Sequence, residues 1–159
     1  MKYKTIKLPK LTLLGIKKSY ENGREAQQHI ADFWGTCFAE GTISKLQASN
    51  NGDLDGLLGI CIPELDGKMS YMIAVTVTID NCSVSDDFEL TTLPSSTYFV
   101  FEAQGVVPDA VQLKMEEVHN YIHKYHGDNI REAPFFEYYQ EGDTSSEQYI
   151  TELWMPINE

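Results

Sequence analysis

LLGICIPELDGKMSYMIAVTV (residues 57–77) and FFEYYQEGDTSSEQYITELWMP (residues 135–156) decide how this chain is to be folded. Each holds an apolar or aromatic run, an acidic turn containing glycine, and a longer run rich in branched and aromatic residues. That layout is strand, turn, strand. Leu57 and Phe135 stand 78 positions apart, as do Tyr71 and Tyr149. Identity between the stretches is slight, but the shared order of elements is what an internal duplication leaves behind.

An amphipathic helix precedes each stretch. Ile30, Phe33, Trp34, Cys37 and Phe38 fall at i, i+3, i+4, i+7 and i+8, one stripe of a helix over residues 24–40, with Gly41 as its stop. Val111, Met115, Val118, Ile122 and Tyr125 are spaced 4, 3, 4, 3, which predicts a second helix over residues 108–125. Pro108 suits its first turn, Asp109 and two glutamates its earlier part, and Lys124 and His126 its end, as the helix dipole favours. Further strands are expected over residues 5–17 and 97–104, alongside those at 57–63, 71–79, 134–139 and 149–157. Polar linkers lie at residues 48–56, 64–70, 81–87 and 140–146.

The order is strand, helix, strand, strand, twice over. This predicts an α+β fold, a tandem βαββ repeat with pseudo-twofold symmetry. One helix cannot seal a sheet of two to four strands, so residues 1–159 are expected to form one domain from halves at about 1–80 and 84–159. The seam between the halves is a natural place for a ligand groove.

The 159 residues are 42% hydrophobic, 11% aromatic and 23% charged, which excludes a disordered acidic tail. Twelve Lys and Arg against 24 Asp and Glu give a net charge of −12. Such a surface repels phosphate backbones and anionic lipids, so neither DNA nor membrane is an expected partner, and a cationic ligand or basic protein is favoured. MKYKTIKLPK is not a signal peptide, and the apolar-leaning run at residues 71–79 is far short of the ~20 needed to cross a bilayer. Cys37, Cys61 and Cys82, widely spaced and odd in number, read as reduced thiols of a cytoplasmic protein.

The densest chemistry lies in the last 26 residues. Alternation puts Phe135, Glu137 and Tyr139 on one face of their strand, and Ile150, Glu152 and Trp154 on one face of theirs. Each strand thus sets a carboxylate among aromatic and aliphatic neighbours. A buried carboxylate there needs a partner, and an organic cation between aromatic rings would supply one by charge and cation–π contact. Cross-strand pairing on a wet sheet face explains the same pattern without a ligand.

At LTLLGIKKSY, HIADFWGTCF, GICIPELDGKMSYMIAVTV, TYFVFEAQGVVPDAV and above all FFEYY and ELWMPI, the sequence resembles the GyrI-like effector-binding domains, which also occur attached to AraC-type and MerR-type multidrug regulators. The resemblance covers nearly the whole chain. It implies a tandem βαββ fold with an aromatic groove that binds lipophilic, often cationic, compounds against a buried glutamate. Glu137 in FFEYY is similar to that cation-pairing glutamate. Glu152 in ELWMPI matches a second acidic position near the closing strand. Trp34, Phe38, Tyr71, Tyr139 and Trp154 are the expected aromatic walls, each with the alternative that it is simply core. No helix-turn-helix precedes the first strand, so a free-standing binder that sequesters or senses toxic compounds is expected.

Two other readings stay open. Some GyrI-like proteins hydrolyse strained toxins, for which Glu137 or Glu152 would be the general base, and the family name suggests a gyrase-directed interaction module. His119, His123 and His126 could share a helix face, but no further ligand stands at a usual zinc spacing, so no metal is expected. Asn51, Asp53, Asp55 and Gly56 imitate a calcium loop whose twelfth position is Ile62 where Glu is needed. No phosphate-binding glycine loop or GxSxG occurs, and no cofactor is expected.

Overall fold

In chain order the elements are β1 (Lys4–Leu8), β2 (Leu11–Tyr20), α1 (Gly23–Ala39), α2 (Thr42–Ser49), β3 (Leu57–Pro63), β4 (Met69–Thr76), β5 (Glu89–Leu93), β6 (Ser96–Gln104), α3 (Asp109–His126), β7 (Phe135–Tyr139) and β8 (Ile150–Ile157). They come from a computed structural model, which describes residues 1–82 and 86–158. The linker expected at 81–87, and with it the boundary between the halves, lies partly outside the described residues.

The two long helices stand where periodicity puts them. Asn22 caps α1 by accepting from the Glu25 amide, and Glu25 reaches back to the Glu21 amide. Gly41 ends the segment at φ 77°, a left-handed conformation that a side chain would strain. Three differences from the sequence reading concern short pieces. The strand expected over 5–17 is two strands, because Pro9 lacks an N–H and ends the ladder. Helix α2 buries only Ile43 and Leu46, too few positions for a readable period. Strand β5 is a mostly exposed edge without a continuous apolar run. Each half is therefore strand, strand, helix, strand, strand, with α2 added in the first.

All the strands join one antiparallel sheet, in the order β1-β6-β8-β7-β3-β4-β2-β5. Read from either end, the order exchanges β1 with β5, β6 with β2, β8 with β4 and β7 with β3, so a pseudo-twofold axis passes between β7 and β3. Each half gives its first strand to the other, since β1 pairs with β6 and β5 with β2. On the middle strands the repeat offset is 78, from Gly59 to its cross-strand partner Glu137. On the next pair it is 80, from Ile73 to Leu153, because the second hairpin turn is two residues longer. Tyr71 therefore corresponds to Thr151, and the match to Tyr149 is corrected.

The sheet cannot be flat. Leu8 and Leu11 are three residues apart, hence within about 11 Å. Their strands are nevertheless six places apart in the order, about 29 Å in a flat sheet. Leu93 and Ser96 impose the same closure at the other crossing. The ends curl together over a core of Leu13, Leu58, Met72, Tyr98, Phe136 and Trp154. On the outer face, α1 and α2 cover Leu14, Tyr71 and Ile73, while α3 covers Phe101, Leu153 and Met155. Both faces are thus buried, which is why β4 and β6 read as nearly continuous apolar runs. Between the two helical covers the middle of the sheet stays open.

Candidate functional site

The opening is a groove of about 1250 Å³. Its floor is the middle strand pair, where Leu57, Cys61, Phe135, Glu137 and Tyr139 face it. Trp34 and Phe38 wall it from α1, and Val111, Met115 and His119 from α3. Phe135 and Tyr139 pack against both outer cores and so bridge the seam.

Glu137 is 9% exposed. Its Oε1 accepts from the Tyr71 hydroxyl at 2.7 Å and the Tyr139 hydroxyl at 2.9 Å. Trp34 donates its indole N–H to the Tyr71 oxygen at 2.9 Å, which commits the Tyr71 proton to Glu137. Oε2 makes no hydrogen bond among the described residues and is not sealed from solvent, so it is the oxygen left to the groove. No Lys, Arg or His pairs with Glu137 among the described residues. Burial pushes its carboxyl above the ordinary range, and the two tyrosine hydroxyls oppose that by favouring the ionised form. Burial, then the Glu137 charge, raises the Tyr71, Tyr139 and Cys61 groups well above their usual values, so all three stay protonated.

The described groove lining contains Asp55, Glu116, Glu137 and Glu141 and no Lys or Arg. His119 sits edge-on to Phe135 at 5.3 Å, and burial followed by the nearby His123 lowers its pKa, which favours neutral imidazole. The floor beside the open carboxylate oxygen is therefore apolar, and the walls add neutral amides such as Gln27, Gln112 and Asn120 and further carboxylates.

The structure brings together Glu137, Trp34, Tyr71 and Tyr139, with Phe38 at the rim, 61% exposed and stacked on Trp34 at 6.2 Å. Tyr71 is fully buried and acts through its hydroxyl, so it is a support beneath the wall and not wall surface. Glu152 and Trp154 are placed elsewhere. The β7–β8 register opposes Tyr138 to Glu152 and Phe136 to Trp154, all on the inner face away from Glu137. There Glu152 pairs with Lys4 at 3.2 Å and accepts from the Trp154 indole at 3.2 Å, and Trp154 stacks on Phe136 at 5.2 Å. Strand alternation read each strand's faces, but which face of β8 met that of β7 depended on the hairpin register. Glu152→Gln is accordingly expected to leave cation affinity within about twofold, since a partnered charge behind the sheet is screened from the groove; isothermal titration would check this.

Local pattern does not place Gly59, Cys61 or His119 at the site, although Cys61 reads as a buried thiol and His119 as one of a helical set of histidines. Gly59 carried a signal, because a lone glycine inside an apolar strand marks a close approach. A Cβ at Gly59 would lie 2.0 Å from the Tyr71 hydroxyl and 2.7 Å from Glu137 Oε1. The histidines diverge: His119 faces the groove, whereas His126 packs against Tyr3, Phe99 and Tyr121. Among the described residues no group of three or more His, Cys, Asp or Glu is arranged to hold a metal ion. No described helix is long and apolar enough to cross a membrane.

The model of the GyrI-like small molecule binding domain matches residues 1–158. This chain belongs to the GyrI-like family. A Staphylococcus aureus MU50 protein is 61% identical to this GyrI-like chain, with a TM-score of 0.92 over 100% of this chain and 99% of that one. SAV2435, in a structure bound to tetraphenylphosphonium, is also 61% identical, with a TM-score of 0.90 over 99% of this chain and 94% of its own. An integron cassette protein of Vibrio cholerae shares the fold at 16% identity and a TM-score of 0.66, covering 98% and 95%. No curated protein matches the chain. The GyrI-like fold thus supplies a small-molecule-binding scaffold, and its groove lies where the two halves meet.

Proposed function

We propose that this GyrI-like domain binds a lipophilic organic cation in the groove, with Glu137 as counter-charge, and so sequesters or senses such compounds. The observation that carries this is the Glu137 carboxylate, 9% exposed on the apolar floor of the groove and without a cationic partner among the described residues. A buried charge left unpaired is costly, and a cation seated above Oε2 removes that cost. Trp34, Phe38 and Tyr139 add cation–π attraction and apolar contact, the latter about 25 cal/mol per Å² removed from water. The tetraphenylphosphonium bound by SAV2435 is a ligand of this chemistry and supports the reading.

Titration with tetraphenylphosphonium, followed by Trp34 quenching and calorimetry, tests it. Saturable one-site binding is expected, with the ligand recovered intact by mass spectrometry. Absence of saturation would overturn the reading, and conversion of the ligand would favour a hydrolase.

The pH dependence has a definite sign. Only ionised Glu137 attracts the cation, and burial has raised its pKa. Affinity is therefore full above that raised value and falls about tenfold per pH unit below it, as the cation displaces a proton. The decline begins at higher pH than a solvent-exposed glutamate would give, and calorimetry across pH 4–8 would show it. Glu137→Gln should flatten the profile.

A further inference from the structure

We infer that the groove selects cations carrying at most one N–H donor, such as quaternary ammonium, phosphonium and tertiary ammonium groups, and discriminates against guanidinium and amidinium ligands. The inference rests on the cation-binding reading and narrows its ligand class.

A carboxylate oxygen accepts two hydrogen bonds through its lone pairs. Oε1 of Glu137 already takes both, from Tyr71 at 2.7 Å and Tyr139 at 2.9 Å. A guanidinium docks on a carboxylate as a fork, with one N–H to each oxygen. Here the second prong meets an occupied oxygen, so the ligand is confined to Oε2. The rest of its N–H donors then meet the floor around Glu137, made by Leu57, Cys61, Phe135 and the Tyr139 ring, while the amides of Gln27, Gln112 and Asn120 stand away on the helical walls. Donors buried without acceptors are penalised, whereas a quaternary centre has none to satisfy. The tyrosines cannot easily turn away. Tyr71 is fully buried and accepts from Trp34, while Tyr139 is held edge-on against Trp34 at 5.4 Å. Two hydroxyls that hold the counter-charge thus also determine which cations can use it.

The test compares two ligands with the same aromatic body and charge, (naphthylmethyl)trimethylammonium and naphthylmethylguanidinium, by calorimetry against the intact protein. The trimethylammonium compound is expected to bind at least tenfold more tightly, equivalent to about 1.4 kcal/mol. Tyr139→Phe frees one lone pair on Oε1 and should narrow that ratio severalfold. Equal affinity, or tighter guanidinium binding, overturns the inference, and so does an unchanged ratio in folded Tyr139→Phe. If Tyr139→Phe does not fold, Tyr71→Phe repeats the comparison, and the wild-type ratio remains decisive by itself. If neither compound nor tetraphenylphosphonium binds, the cation-binding reading fails and takes this inference with it. If tetraphenylphosphonium binds normally while the guanidinium matches the quaternary ligand, only the selectivity argument fails.

Discussion

Replacing Glu137 with Gln is expected to weaken tetraphenylphosphonium binding by about 2 kcal/mol or more, roughly thirtyfold, while making the free protein more stable at neutral pH. Gln keeps a carbonyl oxygen for the Tyr71 and Tyr139 hydroxyls and changes little volume, so the loss reports the charge. The stability gain follows from linkage. Burial raises the folded-state pKa of Glu137 above its unfolded value. The folded protein thus binds that proton more tightly than the unfolded chain does. Its stabilising contribution is present below the unfolded pKa and is lost as pH rises through the folded pKa. Above that window wild type carries a buried charge that Gln lacks. The Tm difference should therefore favour Glu137→Gln at pH 7.5 and shrink as pH falls through the window. A purely structural glutamate would behave oppositely, with lower stability and unaltered cation affinity. Calorimetric titration and thermal melts at several pH values separate the two.

Gly59→Ala is expected to place a disruptive methyl directly beneath the counter-charge. Its Cβ would meet the Tyr71 hydroxyl at 2.0 Å and Glu137 Oε1 at 2.7 Å, closer than real Cβ contacts come. Tyr71 is fully buried and hydrogen-bonded to Trp34, so it cannot yield without opening the packing beneath α1. Overpacking of this kind costs typically ~1–3 kcal/mol, and loss of a hydrogen bond to a charged group adds ~1.5–3 kcal/mol. At ~2–4 °C per kcal/mol for a chain of this size, Tm should fall by roughly 5–25 °C. Affinity should fall as well, because Glu137 loses a donor that holds it ionised and in place. Adding Tyr71→Phe removes the nearest clashing atom. The double variant should therefore recover part of the Tm, and the two effects should be far from additive. If Gly59→Ala melts like wild type, or the second substitution deepens the loss in full, the glycine does not serve the Tyr71–Glu137 contact.

These two residues differ in how far they could be read in advance. Glu137 stood out because a carboxylate between Phe135 and Tyr139 on an alternating strand needs a partner, and because FFEYY resembles the GyrI-like pattern. Gly59, a lone glycine in an apolar strand, hints at a close approach, yet its purpose depends on Tyr71, twelve residues on, and Glu137, 78 residues on. Glu152 and Trp154 show the opposite case. Their local pattern resembled that of Glu137 and Tyr139, but hairpin register turned them to the inner face, where Lys4 and Phe136 occupy them.

What the sequence by itself determined are properties of single segments: the stripes of α1 and α3, the strands of the two hairpins, and the recurrence of a helix followed by a hairpin. These follow from periodicity and burial, which act over a few residues and leave their mark in the local pattern. Only the tertiary structure decided that the sheet closes on itself, that β1 and β5 exchange halves, and that one carboxylate, not two, sits near the pseudo-twofold axis with Gly59 opposite. Those outcomes depend on register and chain reach between segments far apart in sequence. A shift of one residue in pairing turns every side chain to the other face, and no local pattern records that choice.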